Sequence, residues 1–70
     1  MKRNEYANVT ENFSEYANKE VEYKRYLPSC DKTINCKGKL HGIGIDGNSE
    51  LLIIESYGHH AIHYKDVDFK

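Results

Sequence analysis

The spacing of the apolar residues changes along the chain, and this change constrains the fold more than any other feature of the sequence. Over residues 1–20 the apolar side chains recur every three or four positions, as on one side of an α-helix. From Thr33 onward they alternate with polar residues, as in half-buried β-strands. The sequence therefore predicts one N-terminal helix followed by a β-rich region at residues 33–70. The apolar residues on the helical stripe are Tyr6, Val9, Phe13 and Tyr16.

Turn residues divide the β-rich region into five short predicted strands. Asp46-Gly47-Asn48-Ser49 is a strong hairpin signal, because these residue types tolerate a positive φ. Tyr57-Gly58-His59 and Lys65-Asp66 form the next two connections, and such tight turns are typical of an antiparallel meander. Residues 20–27 suit either the end of the helix or a short strand, and we favour the strand; Pro28 ends either element. The predicted strands are Thr33–Lys37, Lys39–Asp46, Glu50–Ser56, His60–Tyr64 and Val67–Phe69.

Alternation along the second predicted strand assigns its two faces. Ile43 and Ile45 lie on one side, whereas Leu40, Gly42 and Gly44 lie on the other. Paired glycines inside a strand indicate a sharp bend, through which this strand could contribute to both halves of a small barrel. The helical stripe is expected to cover one open side. The predicted core residues are Val9, Phe13, Tyr16, Ile34, Leu40, Ile43, Ile45, Leu52, Ile54, Ile62 and Val67.

The C-terminal half carries a motif of glycines, a short loop and paired leucines. It reads Gly42-Ile43-Gly44-Ile45-Asp46-Gly47-Asn48-Ser49-Glu50-Leu51-Leu52-Ile53, then Gly58, then Lys65-Asp66-Val67-Asp68-Phe69. This motif resembles the C-terminal SH3-like domain of biotin protein ligases over residues 33–70. The resemblance implies an α+β, mostly β fold in which the helix precedes a small SH3-like antiparallel β-barrel. No residue here matches the ligase's catalytic domain, so no ligase activity is implied.

The same layout is also similar to that of Sm/Hfq-like proteins, which have an N-terminal helix and a strongly bent five-stranded barrel. The segment His60–Lys65 is loosely similar to their lysine-histidine region, although the residue order differs. This second resemblance implies an RNA-binding ring as an alternative function.

Charge and length exclude several classes of protein. Ten Lys and Arg residues oppose 11 Asp and Glu residues in 70 positions, giving a net charge of −1. The charges are evenly spread, so the chain lacks the basic footprint typical of nucleic-acid binding. The longest apolar run, Leu51–Ile54, is far shorter than the about 20 residues of a membrane-spanning helix. We therefore expect a single small cytoplasmic domain with no membrane contact and with free thiols at Cys30 and Cys36.

The patterns typical of catalysis or cofactor binding lack their structural context. The run Gly42–Gly47 matches G-x-G-x-x-G, but it is followed by a strand, whereas a dinucleotide site requires a helix. Serine, cysteine and histidine residues are present, yet so short a chain offers little volume for a substrate pocket. We therefore expect neither an enzyme nor a cofactor. A small zinc-binding domain is a further alternative, although five residues separate the cysteines where a zinc ribbon has two. Its ligands would come from Cys30, Cys36, His41 and His59, with His63 as a further candidate.

The favoured function is a non-catalytic accessory or regulatory module that binds a larger protein and could inhibit it. Aromatic, imidazole and ammonium groups concentrate around the predicted turn at Tyr57, where they would form a contact patch. A core of this size supplies only about 3–5 kcal/mol, so a partner or a homo-oligomer would add stability. The predicted patch consists of Tyr57, His59, His60, His63, Tyr64 and Lys65.

Overall fold

A computed structural model describes all residues 1–70 of the chain. It is α+β and mostly β, with an N-terminal helical segment and a five-stranded antiparallel sheet of order β4-β3-β2-β1-β5. No helix is long and apolar enough to cross a membrane. The elements are α1 (Arg3–Glu11), α2 (Phe13–Tyr16), β1 (Glu20–Leu27), β2 (Lys32–Asp46), β3 (Ser49–Glu55), β4 (His59–His63), a 3₁₀ turn (Tyr64–Asp66) and β5 (Val67–Phe69).

The predicted N-terminal helix is present but is interrupted and shorter than expected. It breaks at Asn12, whose side-chain amide donates a hydrogen bond to the carbonyl of Asn8, and it ends at Tyr16. Two residues beyond the end of the helical segment, Asn18 adopts φ +66° and donates its backbone N–H to the carbonyl of Leu40. This reversal lets the chain enter β1 directly.

Residues 20–27 form a strand, as favoured from the sequence. Val21 and Tyr23 are buried, while Glu20 is exposed and Glu22 is half-buried on the opposite face. The alternation of two buried side chains with charged ones therefore outweighs the continuation of the helical stripe.

The prediction of two separate strands at 33–37 and 39–46 is wrong, because β2 is continuous over 15 residues. Its first half pairs with β1 and its second half pairs with β3. Gly38 lies between the two halves, where a Cβ atom would stand 2.6 Å from the carbonyl oxygen of Glu55 and 2.7 Å from Cγ2 of Ile54. Gly38 thus marks a close approach of two strands, and no turn occurs there.

The predicted face is wrong for Leu40, because a β-bulge lies between Leu40 and Gly42; from Gly42 onward the predicted alternation is present. Leu40 pairs with Ile54 and Ile43 pairs with Leu52, so both β2 residues pack against the core. An extra residue in one strand reverses the alternation from that point onward.

The core lies between α1 and one face of the sheet. The predicted core residues Ile34 and Ile45 are exposed, at 38% and 74%, because they sit near the two ends of the long strand β2. Phe13, Tyr16, Ile43 and Ile62 are partly buried against the core. The buried residues are Tyr6, Val9, Val21, Tyr23, Leu40, Leu52, Ile54, Tyr64 and Val67.

Candidate functional site

The turn between β3 and β4 displays the most exposed aromatic side chain of the protein. Tyr57 is fully exposed and adopts φ +55°, followed by Gly58 at φ +124°. A bulky side chain rarely occupies this left-handed region, so the backbone at Tyr57 is strained. Ser56 anchors the turn, because its hydroxyl donates to the carbonyl of Lys37 at 2.9 Å and its N–H donates to the carbonyl of Gly58 at 2.8 Å.

Two members of the predicted patch face inward. Tyr64 is only 6% exposed and its ring stacks on Tyr6 with centroids 4.8 Å apart, so it belongs to the core. His60 is half-buried beside Tyr23, at a ring-centroid distance of 6.1 Å. Its Nε2–H donates to the carbonyl of Ser56 at 2.9 Å, which fixes the tautomer and supports the turn. Neither Tyr64 nor His60 is freely presented to a partner.

The other members lie on the outer side of the sheet or beyond its end. His59 and Lys65 are exposed, whereas His63 is half-buried with its ring centroid 4.6 Å from that of Tyr64. The backbone N–H of Lys65 donates to Nδ1 of His63 at 3.2 Å, so the neutral ring carries its proton on Nε2. His59 and His63 occupy one face of β4, with Ala61 between them.

A cluster of two histidines and one carboxylate lies beside the turn; we call His41, Glu55 and His59 the histidine cluster. Each residue offers one ligand atom, and these atoms all lie within 4.8 Å of one another. The rings of His41 and His59 stack with centroids 4.3 Å apart and planes at 16°. Nε2 of His59 lies 3.8 Å from Oε2 of Glu55. All three side chains are exposed.

The backbone explains why these three residues meet. Glu55 and His59 are directly paired residues of β3 and β4, on either side of the three-residue turn. His41 is the extra residue of the bulge in β2, which brings its ring against His59. Sequence reasoning missed Glu55, although its spacing of four residues from His59 across a predicted tight turn is the signal of a cross-strand pair.

The structure does not bring the two cysteines to the histidine cluster. Cys30 is exposed in the turn that joins β1 to β2, and Cys36 packs against the core from β2. Both thiols are free, as predicted. The zinc ligands suggested from the sequence therefore do not form one group, and only His41 and His59 of that set lie together.

The one substantial depression lies elsewhere, between the end of the helical segment and β5. It has a volume of about 660 Å³ and is partly open to solvent. Tyr16 and Phe69 form its apolar part, with ring centroids 5.2 Å apart, and its other five lining residues are charged. It contains no residue of the predicted patch or of the histidine cluster.

Comparison of the chain with protein-family models, with curated proteins and with solved structures finds no match. The resemblances to biotin protein ligase C-terminal domains and to Sm/Hfq-like proteins therefore stay predictions from the motif and the layout.

Proposed function

We propose that the chain is a non-catalytic binding module of SH3-like barrel type that docks on a larger protein through Tyr57. The observation that carries this proposal is the full exposure of a tyrosine ring on a strained, anchored turn. Exposed tyrosines are frequent hot spots at protein interfaces, because they bury a large rigid surface at low entropic cost. Backbone strain at a surface turn lowers the stability of the free chain, and such strain is frequent at ligand-binding positions, so it supports a role in binding.

The surface beside Tyr57 supports a protein partner. The outer face of the sheet carries Ile53, half-buried above Gly42 and Gly44, which have no side chains of their own. Ala61 pairs with Ile53 and is exposed. These residues make part of the outer face apolar, and Tyr57 and His59 lie towards the turn at one end of it. A partner with an apolar pocket for the tyrosine ring would match such a surface.

Photo-crosslinking followed by a binding measurement tests this function. In one variant a photoreactive amino acid replaces Tyr57. In the matched control it replaces Tyr26, an exposed tyrosine near the turn between β1 and β2. A protein crosslinked only from position 57 is then purified and titrated with the wild-type chain, Tyr57→Ala and Tyr26→Ala. We expect Tyr57→Ala to weaken binding about 30-fold, as a hot spot of about 2 kcal/mol would.

Equal affinity of the two alanine variants would contradict the proposal, as would the absence of any protein crosslinked specifically from position 57. Circular dichroism of each variant separates a loss of contact from a loss of fold.

An RNA-binding ring of Sm/Hfq-like type is the second candidate, and the strand order favours it. β4 and β5 are the two edge strands of the sheet, and each has an unpaired side. An edge of one copy could pair with the other edge of the next copy, which generates a closed ring when the rotation permits. Native mass spectrometry distinguishes the candidates: a hexamer or heptamer that retains RNA supports the ring, and a monomer or dimer counts against it.

A further inference from the structure

The histidine cluster contains one potential metal ligand from each of three neighbouring strands. The donor atoms of His41, Glu55 and His59 lie within 4.8 Å of one another. Around a tetrahedral zinc ion with bonds of about 2.0–2.1 Å, neighbouring donors are about 3.3 Å apart. Because imidazole lone pairs lie in the ring plane, the two stacked rings must turn out of their stack to point at one ion, and exposed side chains can do so by rotation about their χ angles.

We propose that the histidine cluster binds one divalent transition-metal ion of the zinc class. Two imidazole nitrogens and one carboxylate oxygen form a donor set that zinc accepts, with water in the remaining position. Magnesium and calcium prefer sites made of oxygen atoms, so two imidazoles select against them. This inference does not depend on the protein-binding function, since that function rests on Tyr57, which is not a member of the histidine cluster; His59 is common to the two surfaces.

The bulge supplies a second, independent reason for the site. Bulges are frequent where a strand must redirect a side chain, and this bulge is centred on His41. It brings one imidazole against another at 4.3 Å on a surface where each could instead be solvated separately. A stack of two imidazoles beside a carboxylate places three potential metal donors on one small area of surface.

The charge around the cluster is compatible with a bound cation. Glu55 provides one negative charge, and the two histidines are neutral when they act as ligands. Lys39, the residue paired with Glu55 on β2, is the nearby competitor for this carboxylate, yet no ion pair forms between them. The Glu55 carboxylate therefore forms no ion pair with Lys39 and lies beside the His59 ring.

Calorimetric titration of the full chain, free of any affinity tag and pretreated with a chelator, tests the site with zinc chloride as the probe. We expect one zinc ion per chain and perturbed NMR signals of the His41 and His59 imidazoles. His41→Ala and His59→Ala should each weaken binding about 100-fold or more, because even residues that only orient a ligand change metal affinity 10–100-fold. Glu55→Gln, which keeps the shape of the side chain, should weaken binding less.

His63→Ala is the matched control, because His63 lies on the same face of β4 but outside the cluster. Its zinc affinity should equal that of the wild type. The site is refuted if the wild-type chain binds no zinc, if one ion is shared by two chains, or if His63→Ala loses as much affinity as His41→Ala. Excess magnesium that displaces zinc would equally refute the proposed selectivity. Since all three ligands are exposed, the variants should keep their circular dichroism spectrum.

Discussion

Two hairpin ends of this protein each display an exposed tyrosine, but only one of the two tyrosines has a structural role. Near the β1–β2 turn, the hydroxyl of Tyr26 donates to Oδ1 of Asp31 at 2.6 Å, and the backbone of Tyr26 is that of an ordinary strand. At the β3–β4 turn, Tyr57 has no hydrogen-bond partner for its hydroxyl and has a left-handed backbone. Exposure alone therefore does not identify a binding residue; exposure combined with unexplained strain is the stronger indication.

The two ends also differ in how they are attached to the core. The β1–β2 end projects past the core, since Ile34 is exposed there. The β3–β4 turn is instead held against β2 by the hydroxyl of Ser56 and by the close approach at Gly38. A binding turn attached in this way presents Tyr57 and the histidine cluster in a fixed arrangement, which lowers the entropic cost of binding.

The largest expected effect on stability follows from adding a side chain at Gly38, where two strands approach closely. Gly38→Ala places a Cβ 2.6 Å from a backbone oxygen, which cannot move as a flexible side chain would. We expect the free energy of unfolding to fall by about 1–3 kcal/mol, as for overpacked sites. Urea denaturation at pH 7 measures this change.

Gly42→Ala is the control for this substitution, because its Cβ would lie 3.7 Å from the nearest atom, an ordinary contact. Its stability should be unchanged or raised by up to about 1 kcal/mol. Equal midpoints for the two variants would show that the close approach at Gly38 does not hold the turn in place.

A smaller effect, of opposite sign at the two tyrosines, is expected from glycine substitutions. Tyr57→Gly removes a left-handed strain of about 1–2 kcal/mol and adds a glycine entropy cost of about 0.5–1 kcal/mol, so the variant should gain up to about 1.5 kcal/mol of stability. Tyr26→Gly removes a hydrogen bond and a strand-forming residue, so it should lower stability. Thermal unfolding monitored by circular dichroism compares the two; a loss of stability in both would mean that Tyr57 supports its own turn.

Local patterns predicted much of the fold, but residues whose position depends on strand pairing were misplaced. The helical stripe placed Val9 correctly, and the Asp-Gly signal located the β2–β3 hairpin, where Gly47 adopts φ +61°. The bulge at His41 could not be predicted, because alternation assumes an unbroken register. For the same reason Leu40 and Ile43 were assigned to opposite faces.

The candidate site was predictable in part. The turn signal located Tyr57 and His59 at an exposed position, whereas Tyr64 was misplaced because the 3₁₀ turn that follows β4 directs it into the core. The association of His41 with Glu55 and His59 depends on the bulge, which a single sequence does not reveal. Sequence therefore indicates which residue types cluster along the chain, and strand register determines which of them meet.

The smallest expected effect concerns the pKa of Tyr26 and refines the contrast between the two hairpin ends. Its hydrogen bond to Asp31 raises the pKa of Tyr26 above the ordinary 10.0, with desolvation as a lesser cause. Because the folded-state pKa is the higher one, the stabilisation is complete below pH 10 and is lost as the pH rises through the raised value. Asp31→Asn removes the carboxylate that accepts this hydrogen bond, so it should lower the pKa of Tyr26. NMR of the tyrosine ring carbons between pH 8 and about 12 measures this pKa.

Tyr6 provides the internal control for this titration. Its pKa is also raised, but mainly by burial and secondarily by the charge of Glu50, so Asp31→Asn should leave it raised. A parallel fall in both pKa values would mean that the substitution loosens the whole fold. A fall confined to Tyr26 would show that its hydroxyl is engaged within its own hairpin. Tyr57 would then be the tyrosine of the two whose hydroxyl is left for a partner.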